Sequence, residues 1–86
     1  EVLLAAKAMA DPSKLEILSV LKQGRSYGQK LAGRLNLTTA TVSYHMSALI
    51  NANLITMEKE GTRIYYSINE ESVRAYLNGV EELLLK

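Results

Sequence analysis

The chain has 86 residues, of which 48% are hydrophobic and 22% are charged. This length suffices for one small domain and excludes a two-domain enzyme, and the composition excludes a disordered chain. The sequence holds no Cys and one His, which excludes disulfide bonds, thiolate metal sites and cysteine nucleophiles. Ten Lys and Arg against nine Asp and Glu give a net charge of +1, so any binding function depends on how the charges are distributed.

The apolar runs are far shorter than the span of about 20 residues that a membrane helix needs. We also find no basic leader followed by an apolar core and a cleavage site. A cytoplasmic chain without a membrane partner is therefore expected. The first residue is Glu rather than Met, so we expect the chain to be trimmed or cut from a longer protein.

The first predicted helix covers residues 2–10, which are apolar except for Lys7. Such a helix needs burial on two faces, and its own domain can cover only one of them. A second copy of the chain is the simplest cover for the other face, and a missing upstream helix is the alternative.

The second helix is predicted to begin at Asp11, an N-cap residue followed by Pro12 at the first helical position. Gly24 is typical of a helix end, which places the last helical residue at about Gln23. The apolar stripe of this helix is predicted to consist of Leu15, Ile17, Leu18 and Leu21.

Ser26 and Gln29 have the spacing of a capping box, which predicts the start of a third helix. This helix directs Leu31, Ala32 and Leu35 inward and Lys30 and Arg34 outward.

A tight turn at Asn36 and Leu37 follows, and Thr38 is predicted to cap a fourth helix that runs to about Asn51. Two short helices joined by a few residues form a helix-turn-helix pattern.

A β-hairpin is predicted after Asn53, with strands at residues 54–59 and 63–68 around the turn Glu60-Gly61-Thr62. On the second strand, one face carries Ile64, Tyr66 and Ile68, and the other carries Arg63, Tyr65 and Ser67. We expect one face to pack on the core and the other to meet solvent.

Asn69 is predicted to cap the last helix, with Glu70 and Glu71 in its first turn, where acidic charge suits the helix dipole. Its apolar stripe can pack beside the first helix to form a terminal helical layer and a dimer surface. The residues expected at that surface are Val2, Leu3, Leu4, Val73, Tyr76, Leu77, Val80 and Leu84.

The predicted fold class is mainly α with a two-stranded β-hairpin (α+β), arranged as one winged helix-turn-helix domain over residues 1–86.

The fourth helix has two contrasting faces on a helical wheel. One face carries Val42, Met46, Leu49 and Ile50, with His45 at its edge. The opposite face carries Ala40, Thr41, Ser43, Tyr44 and Ser47. Small side chains let a helix approach the floor of a major groove, and hydroxyl groups can hydrogen-bond bases or phosphates. The pattern of this helix alone leaves open the alternative that these residues are only exposed to solvent and have no binding role.

Four cations surround this helix in the predicted fold. Lys59 and Arg63 flank the tip of the hairpin, and Lys30 and Arg34 lie on the preceding helix. Taken singly, each cation is explained by ordinary solvated charge, but their common placement favours contact with DNA. Lys59 and Arg63 are then expected to meet phosphates or to enter a minor groove, and Lys30 and Arg34 to meet the backbone beside the groove. Two glutamates on the hairpin, Glu58 and Glu60, weaken the positive potential there.

Three segments together resemble the ArsR-type winged helix-turn-helix repressors: residues 8–18 (AMADPSKLEIL), 37–46 (LTTATVSYHM) and 60–68 (EGTRIYYSI). The resemblance covers nearly the whole chain. It implies a homodimer that binds imperfect inverted repeats of double-stranded DNA and releases them when a metal ion or another signal shifts the dimer. It also implies base contacts at Thr39, Ala40, Ser43 and Tyr44, with Thr41 at the start of the same helix.

The thiolate metal pair of that family has no counterpart in a chain without Cys, and the last helix offers glutamates but no His. We therefore predict no metal site and no cofactor. His45 is interpreted as a helix-packing or phosphate-adjacent residue.

An enzyme would need a nucleophile with its base, a carboxylate pair in a cleft or a phosphate-binding glycine loop, and the sequence offers none of these. The exposed face of the fourth helix together with the hairpin predicts a sequence-specific DNA-binding transcriptional regulator, and the resemblance to the ArsR-type family implies that it acts as a repressor. The alternative is a winged-helix protein-interaction module without sequence-specific DNA binding.

Overall fold

The structure is a computed structural model that describes residues 2–86, without the side chain of Val2. The dimer contact predicted for that side chain lies outside the described part. The elements in chain order are α1 (Val2–Met9), α2 (Pro12–Leu21), β1 (Ser26–Tyr27), α3 (Gly28–Leu35), α4 (Thr39–Asn51), β2 (Ile55–Glu60), β3 (Arg63–Ile68) and α5 (Glu70–Leu85). Helices α3 and α4 form the helix-turn-helix, and β2 and β3 form the wing.

Three predicted helix starts are confirmed by their capping hydrogen bonds. The Asp11 carboxylate accepts a bond from a backbone N–H of α2 at 2.9 Å. The Thr38 hydroxyl does the same for α4 at 3.0 Å, and the Asn69 side chain for α5 at 3.2 Å. The turn before α4 is also confirmed, since Asn36 adopts a left-handed conformation with φ of 55°. These side chains satisfy backbone donors that the first helical turn leaves without partners.

The capping box predicted at Ser26 and Gln29 is wrong. Ser26 lies in β1, and the N-cap residue of α3 is Tyr27, which makes no side-chain capping bond. The reason is tertiary, because Ser26 and Tyr27 pair with Tyr66 and Tyr65 of β3. The sheet is therefore three-stranded in the order β1-β3-β2 rather than a hairpin alone.

The wing has a tighter turn than the sequence suggested. Glu60 pairs with Arg63, so Gly61 and Thr62 alone connect the strands. Gly61 has a φ of 64°, a conformation that two-residue hairpin loops require and that glycine adopts without strain. The face that packs is the one carrying Ile64, Tyr66 and Ile68, since Tyr66 and Ile68 contact the core. Ile64, near the tip, remains 42% exposed.

The core lies between the helices and the inner end of the wing. Its buried apolar members are Ala5, Ala8, Ile17, Leu18, Leu21, Leu31, Ala32, Val42, Met46, Leu49, Ala52, Leu54 and Ile55. The stripe predicted for α2 is wrong at Leu15, which is 44% exposed. Lys14 takes the buried place instead, because positions 14, 17, 18 and 21 form one face of a helix. Helix α2 also ends at Leu21, two residues before the predicted Gln23.

The terminal helices pack on one another, as α1 contacts α2, α4 and α5. Val73 and Tyr76 of α5 pack partly against the core. None of the described residues of α5 is buried, however, and Leu77 and Leu84 are 56% and 70% exposed. The chain alone leaves this apolar stripe uncovered.

Candidate DNA-binding surface

Helix α4 is anchored by one face and presents the other. Val42 and Leu49 are fully buried and Met46 is 1% exposed. The helical period then places the opposite face in solvent, and Tyr44 on this face is 70% exposed. The other exposed members of that face are Thr39, Ala40, Ser43 and Ser47. The structure thus brings five of the six predicted α4 residues onto one accessible surface.

Thr41, the sixth residue, is placed differently from the rest. It is half-buried, and its hydroxyl lies 2.8 Å from the hydroxyl of Thr38. Thr38 in turn accepts the Thr41 backbone N–H. This pair of hydroxyl groups closes the first turn of α4 and so directs the residues that follow it.

A buried lysine, Lys14, contacts the ring of Tyr44 on the exposed face of α4. The Lys14 ammonium lies 3.0 Å from a carboxylate oxygen of Asp11 and 5.5 Å from the centre of the Tyr44 ring. The hydrogen bond from Lys14 lowers the pKa of the Asp11 carboxyl, which favours its charged form. Sequence reasoning did not single out Lys14. Its spacing from Ile17 and Leu18 was the available signal.

His45 belongs to the buried face of α4 rather than to its edge. It is 9% exposed, and its ring packs against Tyr44 with centroids 5.7 Å apart. Its Nδ1 finds no hydrogen-bond partner among the described residues. Of the two roles predicted for His45, the structure places it in helix packing.

A cleft of about 540 Å³ separates the start of α4 from the wing. Three predicted residues, Thr39, Ser43 and Arg63, line it together. The structure adds residues that sequence reasoning missed, and those with polar side chains are Tyr27, Gln29, Thr62 and Tyr66. The short strand β1 brings Tyr27 there, and Gln29 follows it in the first turn of α3. A two-residue strand carries no periodic signal in a sequence.

The two wing cations diverge. Lys59 lies opposite Ile64 and therefore shares its face of the wing, whereas Arg63 lies on the other face. The Arg63 guanidinium stacks 4.1 Å from the centre of the Tyr27 ring. Such stacking leaves the edge of the guanidinium available for hydrogen bonds while restricting its motion.

Lys30 and Arg34 are exposed on α3, as predicted, but they line a different hollow, beside the end of α2. Arg34 donates a hydrogen bond to the side chain of Gln23 at 3.1 Å. The four predicted cations therefore do not form one cluster.

Arg25, which also lines this hollow, was missed by sequence reasoning. Its guanidinium lies 2.8 Å from Glu60 and 3.4 Å from Glu58 on β2. The hydrogen bond from Arg25 lowers the pKa of the Glu60 carboxyl. The two wing glutamates are thus paired with a cation from outside the wing.

The residues predicted for dimerisation differ in how far they are exposed. Val73 and Tyr76 contact the chain's own core, whereas Leu3, Leu4, Leu77 and Leu84 are exposed. Val80 is half-buried. The exposed group lies on α1 and α5, the two terminal helices.

No helix within residues 2–86 has the length and apolar character needed to cross a membrane. In the same part of the chain, no group of three or more His, Asp and Glu side chains is placed to hold a metal ion.

Five helices with a wing beside a helix-turn-helix, as found over the described residues, define the class of winged helix-turn-helix proteins. The sequence model described as "Bacterial regulatory protein, arsR family" matches residues 11–57, which is more than half of the chain. The chain belongs to the ArsR family of bacterial regulatory proteins.

Two curated relatives agree with this membership. An arsenical resistance operon repressor of Bacillus subtilis is 42% identical over 78 residues, covering 90% of this chain and 72% of the relative. The transcriptional repressor SdpR of the same organism is 31% identical over 80 residues, covering 88% and 89%.

Solved structures are similar over nearly the whole fold. One is the homodimeric winged helix-turn-helix DNA-binding domain of a possible ArsR-family regulator from Mycobacterium bovis, with a TM-score of 0.81 and 31% identity. The matched region spans 99% of this chain and 82% of the chain from Mycobacterium bovis. Another is NolR from Sinorhizobium fredii, with a TM-score of 0.75, 32% identity and coverages of 94% and 84%.

Proposed function

We propose that the chain is a transcriptional repressor that binds an inverted-repeat operator in double-stranded DNA as a homodimer. The observation that carries the proposal is the exposed face of α4, which carries Tyr44 and small side chains, two of which, Thr39 and Ser43, line the cleft beside the wing. A helix with such a face can enter a major groove and place its hydroxyl groups against base edges. The similarity to proteins named as repressors supports the direction of regulation.

In this proposal Thr39, Ala40, Ser43 and Tyr44 contact bases, while Thr41 aligns the start of α4. Ser47 and the cations Lys30, Arg34, Lys59 and Arg63 contact phosphates. Phosphate contacts fix the register of the protein, and base contacts carry the sequence preference.

Homodimerisation is proposed through the terminal helices. The exposed leucines of α1 and α5 form an apolar surface that a second copy would bury around a two-fold axis. A two-fold dimer presents two copies of α4 about one turn of DNA apart, which matches an inverted repeat. The homodimeric state of the similar domain from Mycobacterium bovis supports this arrangement.

The remaining parts of the proposal concern the extent of the domain and its setting. Residues 1–86 are proposed to make up one winged helix-turn-helix domain that acts by binding and performs no catalysis. As a bacterial regulator of transcription it would work in the cytoplasm, where the chromosome lies.

Selection from a random duplex pool tests the proposal. The wild-type chain should enrich an inverted repeat, and its affinity for the selected duplex should fall steeply as salt rises, because phosphate contacts release counterions. The control is the same duplex with one half-site scrambled. A chain that enriches no sequence and binds duplexes without salt dependence would contradict the proposal and favour a protein-docking module.

A further inference from the structure

Arg25 connects the loop after α2 to the outer strand of the wing. Its Nη1 atom lies 2.8 Å from Glu60 Oε2 and 3.4 Å from Glu58 Oε1. The two glutamates are two residues apart on β2, so their side chains share one face of the strand. One guanidinium therefore serves both wing carboxylates.

The same guanidinium is held by an aromatic ladder, which we define as Arg25, Tyr65, Tyr27 and Arg63. Arg25 stacks 4.1 Å from the centre of the Tyr65 ring, and Arg63 stacks equally close to Tyr27. The two rings meet edge to face with centroids 5.7 Å apart, because Tyr27 and Tyr65 are paired across β1 and β3. The ladder fixes one arginine at each end of a rigid aromatic pair.

The charge balance of the wing depends on Arg25. Residues 55–68 carry Glu58 and Glu60 against Lys59 and Arg63, so the wing by itself is neutral. Carboxylates that point freely beside DNA would repel its phosphates. Exposed ion pairs contribute little to folding stability. We therefore expect the pairing of these glutamates to affect the affinity for DNA rather than the stability of the fold.

We propose that Arg25 is a positioning residue for DNA binding by the wing. By pairing with Glu58 and Glu60, it keeps both carboxylates turned away from the phosphates, so that Lys59 and Arg63 set the potential that DNA meets. Arg25 itself contacts no phosphate in this arrangement. This inference rests on the proposed function, since it describes how the wing of a DNA-binding protein keeps an electrostatic potential that attracts phosphates.

A mutant cycle on the full chain tests the inference, with the duplex that the wild type selects as the probe. R25Q should weaken the affinity at low salt by about tenfold, because two carboxylates are released beside the phosphates. In the background E58Q/E60Q, the same R25Q change should cost less than about twofold, since no carboxylate remains to be held. The loss caused by R25Q should also shrink as salt rises.

R25K and thermal unfolding serve as controls for charge and for folding. R25K retains a cation that can pair with one carboxylate, so its loss of affinity should be smaller than that of R25Q. All variants should melt within a few degrees of the wild type, since the pairs are exposed.

The outcomes separate the inference from the proposed function. Equal losses for R25Q in both backgrounds would show that Arg25 contacts DNA directly, and would overturn the inference while leaving DNA binding intact. Unchanged affinity of R25Q in the wild-type background would overturn it as well. Failure of the wild-type chain to bind any duplex would overturn the proposed function, and the inference with it.

Discussion

Helices α4 and α5 differ in where they place their apolar side chains. Both are amphipathic, but α4 buries its apolar side chains inside the chain, with Val42 and Leu49 fully covered. Helix α5 has no buried residue among its described positions and leaves Leu77 and Leu84 exposed. Helix α4 therefore turns a polar face outward, whereas α5 turns an apolar face outward. The difference separates a surface suited to DNA from a surface suited to another copy of the chain.

The largest expected effect falls on the apolar surface of α5. Leu77→Glu combined with Leu84→Glu should convert a dimer into a monomer in sedimentation velocity at micromolar concentration. Four leucines are lost from a symmetric interface, and burying each contributes about 2 kcal/mol, so the dimer dissociation constant should rise by at least about a thousandfold. Asn78→Glu, at an exposed polar position of α5, is the matched control. A double variant that remains dimeric would place the interface elsewhere.

The next largest effect is on folding stability, which should fall much more when a leucine of α4 is truncated than when a leucine of α5 is. Leu49→Ala on α4 should lower the free energy of unfolding by about 3 kcal/mol at every protein concentration, because it opens a cavity in the core. Leu84→Ala on α5 should cost less than about 0.5 kcal/mol once the chain is diluted to a monomer. Urea unfolding at several concentrations measures both. Equal costs at all concentrations would mean that the chain itself covers α5.

On the outward face of α4, Ser43→Glu should weaken binding to the selected duplex by about a hundredfold, because it places a carboxylate where the groove and its phosphates must approach. Ser19→Glu, the same change at an exposed position of α2, is the control and should bind nearly as the wild type does. Circular dichroism checks that both variants fold. If Ser43→Glu retained the affinity of the wild type for the duplex, α4 would not be part of the DNA-binding surface.

The smallest effect concerns the support beneath α4. The pKa of Asp11 is lowered by Lys14, so the pair stabilises the fold above the unfolded pKa near 3.8 and loses this contribution as pH falls through the folded pKa. Asp11→Asn keeps a capping oxygen but does not titrate. Its melting temperature should lie below that of the wild type at pH 6 and converge with it towards pH 3. A constant difference between Asp11→Asn and the wild type across this pH range would contradict the linkage.

The parts of the fold that the sequence predicted correctly depend on local chemistry. Asp11, Thr38 and Asn69 cap their helices through hydrogen bonds that span two or three residues, so a short window of sequence contains all the groups involved. The exposed and buried faces of α4 follow from the helical period for the same reason. Three segments in order were enough to indicate the family.

The errors fall where a distant partner decides. Ser26 has the sequence pattern of a helix cap, but pairing with Tyr66 places it in a strand. Sequence reasoning did not single out Lys14, whose ammonium lies 5.5 Å from the centre of the Tyr44 ring on α4. Arg25 gives no local signal at all, because its partners Glu58 and Glu60 belong to the wing.

By itself, therefore, the sequence determined the helices, the N-caps of α2, α4 and α5, the polar face of α4 and the apolar stripe of α5, because short-range hydrogen bonds and periodic burial set each of them. Only the tertiary structure decided which side chains meet. It placed β1 beside β3, stacked the two tyrosines, and paired Arg25 with the wing glutamates. Contacts between residues far apart in the chain depend on how elements pack, and no local pattern encodes that packing.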